Sequence, residues 1–174
     1  YDPSDLSTLW QDAAKTTAVT SDGDPVRVIE DKSGNGHHMI APSDSARATY
    51  KTAGGLHWLD PDGVDDWLKP DVAFDLGSTW SHVGGWGGLS ATRALFGTNQ
   101  SFQGMLQHLI GSVRMRNTAN NGYVNVIDAG GIDDGNDYVL TIEQSDATTA
   151  SGRVDGTTSA SGAGVYDTSA TTRG

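Results

Sequence analysis

Two Asp-rich loops come nearest to chemistry in this chain: Asp60, Asp62, Asp65 and Asp66 around Gly63, and Asp133, Asp134, Asn136 and Asp137 around Gly135. Oxygen ligands on a flexible glycine loop are what Ca²⁺ takes, which makes Asp62, Asp65, Asp66, Asp133, Asp134 and Asp137 the candidate calcium ligands. Neither loop has the ligand spacing of an EF-hand. Asp and Asn also cap turns by accepting hydrogen bonds from their own backbone, which needs no ion, and for each loop this is the simpler reading. No cofactor other than calcium is expected.

His37, His38 and His57 offer imidazole nitrogens, which suit Zn²⁺ or Cu²⁺ when three converge with a carboxylate. Adjacent strand residues point to opposite faces, so at most one of His37 and His38 shares a face with His57, and structural roles are favoured. Ser, His and Asp all occur, but without a Gly-x-Ser-x-Gly elbow or a spacing that selects a triad. Gly84-Gly85-Trp86-Gly87-Gly88 has neither a following helix nor a Lys, which excludes a phosphate loop. Its Trp86 is the candidate carbohydrate-binding residue, because sugars stack on exposed indole faces; core filling is the other reading of Trp86 and stays open. Trp58 and Trp80 alternate with polar neighbours and are expected in the core. No residue is singled out as catalytic, and the chain is not expected to be an enzyme.

The elements that would position these residues are short strands. Pro3-Ser4-Asp5 caps a short N-terminal helix whose Leu6, Leu9 and Trp10 fall at i, i+3, i+4. Strands are predicted at Val26–Ile29, His38–Ile40, Leu56–Leu59, Trp80–Val83, Ala94–Phe96, Gly104–Ile110, Val113–Asn117, Tyr123–Asp128, Tyr138–Glu143 and Gly152–Val154. Asn121-Gly122 and Asp155-Gly156 are hairpin signals of the primed type. Ser33-Gly34-Asn35-Gly36 reads as a tight turn with two residues free to take positive φ. Alternation places Leu56, Trp58, Val64, Leu68, Leu106, Val126, Leu140 and Ile142 in the core of two antiparallel sheets packed face to face.

Composition is compatible with one all-β domain: 174 residues and 18.2 kDa, with 36% hydrophobic residues and 23 glycines. With 22 acidic against 11 basic groups the net charge is −11, which argues against nucleic acid or an anionic membrane surface as partners. The absence of cysteine excludes disulfides, zinc–thiolate sites and thiol catalysis. No apolar run approaches the length of a membrane span, and no signal peptide is apparent. Because the chain starts at Tyr1 rather than Met, a processed chain or a piece of a longer one is expected. Residues 146–174 are, all but eight, Ala, Gly, Ser or Thr, a composition that buries little apolar area to offset ordering entropy. The expected organisation is therefore a β-sandwich over 1–145 and a C-terminal segment over 146–174 that joins the sandwich or is ordered by neighbours.

The phrase Asp31-Lys32-Ser33-Gly34-Asn35-Gly36-His37-His38, followed by Leu56-His57-Trp58-Leu59-Asp60-Pro61-Asp62-Gly63-Val64-Asp65-Asp66-Trp67-Leu68, resembles the concanavalin A-like lectin/glucanase superfamily of laminin-G-like type. The opening Tyr1 to Asp12 and the turn Asp22 to Val26 are similar to the start of such domains in tailed-phage virion proteins. The likeness covers roughly the first 70 residues and becomes one of strand pattern from Trp80 onward. One more apolar strand than the chain contains is expected to close such a sandwich. The resemblance implies a jelly-roll sandwich and, less directly, a virion part: a capsid decoration, cement or tail-fibre module at the particle surface. Its partners would be other virion proteins and copies of itself, a trimer being one plausible state, with host-surface glycans as a further contact. A free carbohydrate-binding lectin is the alternative. Glycanases of this superfamily alternate two Glu and an Asp along one strand, whereas this chain has only Glu30 and Glu143, far apart.

Overall fold

The computed structural model describes residues 1–72, 79–86, 93–96, 106–109, 112–117, 122–127, 138–145, 149–155 and 157–163; side chains are described for 1–72, 79–86, 113, 138–145 and 151–155. The chain is all-β, with every named strand pair antiparallel. It divides into two compact units, Tyr1–Phe74 and Asp75–Arg173. Among the described residues no helix is long and apolar enough to cross a membrane.

In the first unit the expected N-terminal helix is replaced by one 3-10 turn, Leu6–Thr8. Asp5 caps it, accepting from Ser7 N–H at 3.2 Å and Ser7 Oγ at 2.6 Å. Leu9 then turns extended (φ −108°, ψ 129°), and Leu9–Trp10 becomes strand β1. A helix loses here because Leu9 finds tertiary partners on both sides: β1 pairs with Ile29 and Val28, and the Leu9 carbonyl accepts from Val19 N–H at 3.0 Å. Leu9 is fully buried as a result.

The predicted strand Val26–Ile29 is two strands in two sheets. Pro25–Val26 (β2) joins Ala48–Ala53 (β5) and Leu56–Asp60 (β6) in the order β2-β5-β6. Val28–Ile29 (β3) joins β1, Met39–Ile40 (β4) and Lys69–Pro70 (β7) in the order β1-β3-β4-β7. Arg27 is the crossing point, its N–H bonded to the Trp10 carbonyl (2.7 Å) and its carbonyl to Ala41 N–H (2.8 Å). Both sheets feed one cluster of buried side chains, Leu9, Val19, Val26, Ile29 and Tyr50, with Leu6, Met39, Leu59 and Leu68 packed against it. Burying each large side chain contributes roughly 1.5–3 kcal/mol.

Leu68 thus meets the core, but Leu56, Trp58 and Val64 do not. They are 67%, 40% and 85% exposed. Gly54 and Gly55, with φ of 59° and 81°, make a two-residue turn that sets Tyr50 opposite Leu59 and Thr52 opposite His57. Because Tyr50 points into the core, the inward residues of β6 are His57 and Leu59, and the predicted phase is off by one residue. Ser33–Gly36 behaves as expected, with Gly34 and Gly36 at φ 84° and 77°.

The second unit holds two four-stranded sheets. Trp80–Trp86 (β8), Tyr138–Gln144 (β13), Thr149–Val154 (β14) and Thr157–Ala163 (β15) run in the order β15-β14-β13-β8; Arg93–Phe96 (β9), Leu106–Leu109 (β10), Ser112–Asn117 (β11) and Gly122–Ile127 (β12) run β12-β11-β10-β9. The two sheets approach where β12 lies near β14 and β15. The strands of both predicted hairpins pair, β11 with β12, and β14 with β15 across a two-residue turn that opens on Asp155 at φ 47°. Gly122 stands in β12 opposite Asn117, so the first connection is longer than the two-residue turn that Asn121-Gly122 predicts. Leu140 and Ile142 are buried, as alternation along β13 predicts, and Val113 and Gln144 join them. The side chains of Leu106 and Val126 lie outside the described residues.

Candidate functional site

The loop leaving β6 brings three of the six candidate calcium ligands together. Gly63 takes φ 76°, and the chain folds back so that one oxygen each of Asp62, Asp65 and Asp66 lies within 4.8 Å of the others. Hydrogen bonds within the loop explain the turn. Asp62 N–H donates to Asp66 Oδ2 (2.8 Å), and Asp62 Oδ1 accepts from Val64 N–H (2.8 Å) and Asp65 N–H (3.3 Å). The donor set is all hard oxygen, which suits Ca²⁺ rather than Zn²⁺. Two of its oxygens are already engaged by amides, however, and Asp62 and Asp65 are exposed. The group can hold a cation, and the turn-capping role is the one its geometry displays. Asp133, Asp134 and Asp137 lie outside the described residues.

Trp86 ends strand β8, so the candidate sugar platform belongs to a sheet. Along β8, Trp80, His82, Gly84 and Trp86 are half-buried, alternating with exposed Ser81, Val83 and Gly85. In register they face Gln144, Ile142, Leu140 and Tyr138 of β13. The Trp80 indole N–H donates to Gln144 Oε1 at 3.1 Å, which supplies the partner that burying Gln144 requires. His82 and Trp86 converge over Gly84, their ring centroids 6.0 Å apart. A Cβ at Gly84 would meet Trp86 Nε1 at 2.8 Å and His82 Nε2 at 3.1 Å, so glycine is what lets the two rings close over the strand. Burial holds the His82 imidazole below its ordinary pKa.

The other candidates serve structure. The Asp31 carboxylate gathers Ser33 N–H (2.7 Å), Ser33 Oγ (2.8 Å) and His37 N–H (3.2 Å), and these bonds, the Ser33 hydroxyl foremost, hold its pKa down to about 2. Its own N–H donates to His38 Nδ1 at 3.0 Å, while Tyr1 Oη donates to the His37 carbonyl. Lys32 bridges Asp2 (3.1 Å) and Asp5 (2.9 Å), so the Asp31 loop also anchors the N-terminal segment. His57 Nδ1 meets Tyr50 Oη at 2.6 Å. Glu30 pairs with Lys15 (2.7 Å) and Glu143 with Arg153 (3.1 Å).

Sequence reasoning missed β5 and, with it, the outer face of β6. The signal was present: Ala48 and Tyr50 alternate with Thr49 and Lys51, and Gly54-Gly55 marks the hairpin. On that outer face Trp58 stands opposite Lys51 and Leu56 opposite Ala53. Downstream, Trp67 and Val72 are also 40% and 55% exposed. No family model, curated protein or solved structure matches the chain.

Proposed function

We propose that this chain is a non-catalytic assembly module: a jelly-roll-like sandwich, concanavalin A-like as its first 70 residues suggest, that serves as a structural part of a tailed-phage virion. The observation that carries the assembly reading is the run of apolar side chains left in solvent from Leu56 through Trp58, Val64 and Trp67 to Val72. Contiguous exposed apolar surface marks what is covered in use, and Leu56 and Trp58 share the outer face of β6. The ion-paired state of both glutamates supports a non-catalytic role, and the virion setting rests on the resemblance alone. Contact with other particle proteins follows from the same reading, and homo-oligomerisation, as in a trimer, would use surfaces away from the acidic Asp60–Asp66 loop.

A second reading is a free carbohydrate-binding module. Trp58 and Trp67, each 40% exposed, favour it more than Trp86 does. One experiment separates the two. The protein is purified with whatever it copurifies with, its oligomeric state is measured by sedimentation, and the same preparation is applied to a glycan array. Symmetric copies bound to particle proteins, with no glycan retained, are expected. Rapid glycan hydrolysis by the monomer, abolished in Glu143→Gln, would overturn the non-catalytic assignment.

A further inference from the structure

Strand β5 directs the backbone of Tyr50 and Thr52 away from β6. Tyr50 N–H donates to the Asp24 carbonyl (2.8 Å), the Tyr50 carbonyl accepts from Gly23 N–H (2.9 Å), and Thr52 N–H donates to Asp22 Oδ1 (2.9 Å). Their register partners on β6, Leu59 and His57, therefore occupy non-hydrogen-bonded positions of this ladder. Such residues turn their own N–H and C=O to the opposite side of the strand. The outer edge of β6 thus presents the peptide groups of His57 and Leu59, and among the described residues no strand pairs with it. Proteins blunt edges of this kind with proline, charged side chains or a bulge; Leu-His-Trp-Leu-Asp has only the charge of Asp60, at its end, and leaves His57 and Leu59 unguarded. Beside the edge stand the exposed Leu56 and Trp58.

Charge indicates what fits there. From Asp60 to Leu68 the chain carries four Asp and no basic residue, with Asp62, Asp65 and Asp66 clustered immediately beyond the strand. A second copy of this chain would bring another net charge of −11 to the same edge, which long-range repulsion disfavours. We propose that β6 is a docking edge that takes an extended segment of another polypeptide as a fourth, antiparallel strand of the β2-β5-β6 sheet. The amino end of that segment carries basic residues, which lie over the Asp60–Asp66 loop. Peptide groups of the incoming strand bond His57 and Leu59, its outward side chains cover Trp58 and Leu56, and its charge answers the aspartates. This deepens the assembly reading and rests on it.

The test uses the full chain and two synthetic peptides of alternating valine and threonine, one with two arginines at its amino end and one with two glutamates there. At low salt the basic peptide should bind about tenfold more tightly than the acidic one, and the gap should close as salt is raised. Amide resonances of His57 and Leu59 should shift more than those of Leu56 and Trp58. Trp58→Lys, an exposed change that leaves the dichroism spectrum intact, should abolish binding, and Asp65→Asn should narrow the difference between the peptides. Equal affinity for both peptides, shifts confined to other strands, or full binding by Trp58→Lys would overturn the proposal. So would a homodimer that Trp58→Lys dissolves, since the edge would then belong to a second copy. Failure of both peptides to bind while Leu56→Asp still loses copurified particle proteins would remove strand docking and leave the assembly reading standing. A chain with neither partner nor oligomer would remove the assembly reading itself.

Discussion

At the scale of single residues, the most demanding positions are the glycines and aspartates of the Asp31 loop. Gly36 has open space around a missing Cβ yet sits at φ 77°, so the cost of replacing it is one of backbone strain. Gly36→Val is expected to destabilise the first unit by about 1–3 kcal/mol, read as a lower denaturation midpoint; an unchanged midpoint would refute the strain argument. Asp31 adds a pH dependence. Its folded pKa of about 2 lies below the ordinary 3.8, so the stability it contributes is fully present above the ordinary value. That contribution is lost as pH falls through about 2. Asp2, held to about 2 by Ser4 and Lys32, acts in the same window and with the same sign. Asp31→Asn should therefore flatten the acid limb of a stability–pH curve below the ordinary carboxylate range. It should leave the slope between neutrality and mild acidity unchanged.

At the scale of elements, β6 shows how one turn decides the fate of a whole strand. Leu56-His57-Trp58-Leu59 alternates equally well in either phase, and its larger apolar residues argue for burying Leu56 and Trp58. The Gly54-Gly55 turn and the buried Tyr50 select the other phase, placing Leu59 against the core and Trp58 in solvent. Leu59→Ala should consequently cost roughly 1–3 kcal/mol, whereas Leu56→Ala should stay within about 0.5 kcal/mol. Thermal or chemical denaturation of the two variants measures the contrast, and the reverse order would mean that the register is wrong. In the second unit, Gly84→Ala tests the closure of His82 and Trp86 over β8. The added methyl forces one of the two rings to shift, which should change the Trp86 fluorescence environment and lower stability by about 1–3 kcal/mol.

At the scale of the molecule, the chain comprises two β-units, each with its own set of antiparallel sheets and its own buried side chains. The segment 149–163, poor in apolar residues, is held through the ladder of β13 with β14 and of β14 with β15. Its stability therefore derives from β13, where Leu140, Ile142 and Gln144 are buried, and from β12, which lies near β14 and β15. Amide exchange should be slowest in β13 and faster in β15, an edge strand of its sheet. Protection of β15 equal to that of β13 would point to additional cover over that edge. With a net charge of −11, assembly with a basic partner should weaken as salt is raised, whereas self-association should strengthen.

What the sequence determined by itself is the local chemistry. Asp31 with Ser33, Gly34 and Gly36 dictates its loop, Asp155-Gly156 its hairpin, and the alternation of Leu140 and Ile142 the buried face of β13, because each depends on residues within one turn or one strand. What only the tertiary structure decided depends on partners distant in the chain. Leu9 became a strand because it stands opposite Ile29 in the ladder while its carbonyl takes the Val19 N–H. Val26 and Val28 parted into different sheets because Trp10 and Ala41 hold Arg27 between them. Asp62, Asp65 and Asp66 were legible as a turn, but which face of β6 that turn follows depended on Tyr50. Propensity and periodicity describe what a segment can do with itself; the phase of a short strand, and so which of its side chains meets solvent, is fixed by the neighbour whose hydrogen bonds it shares.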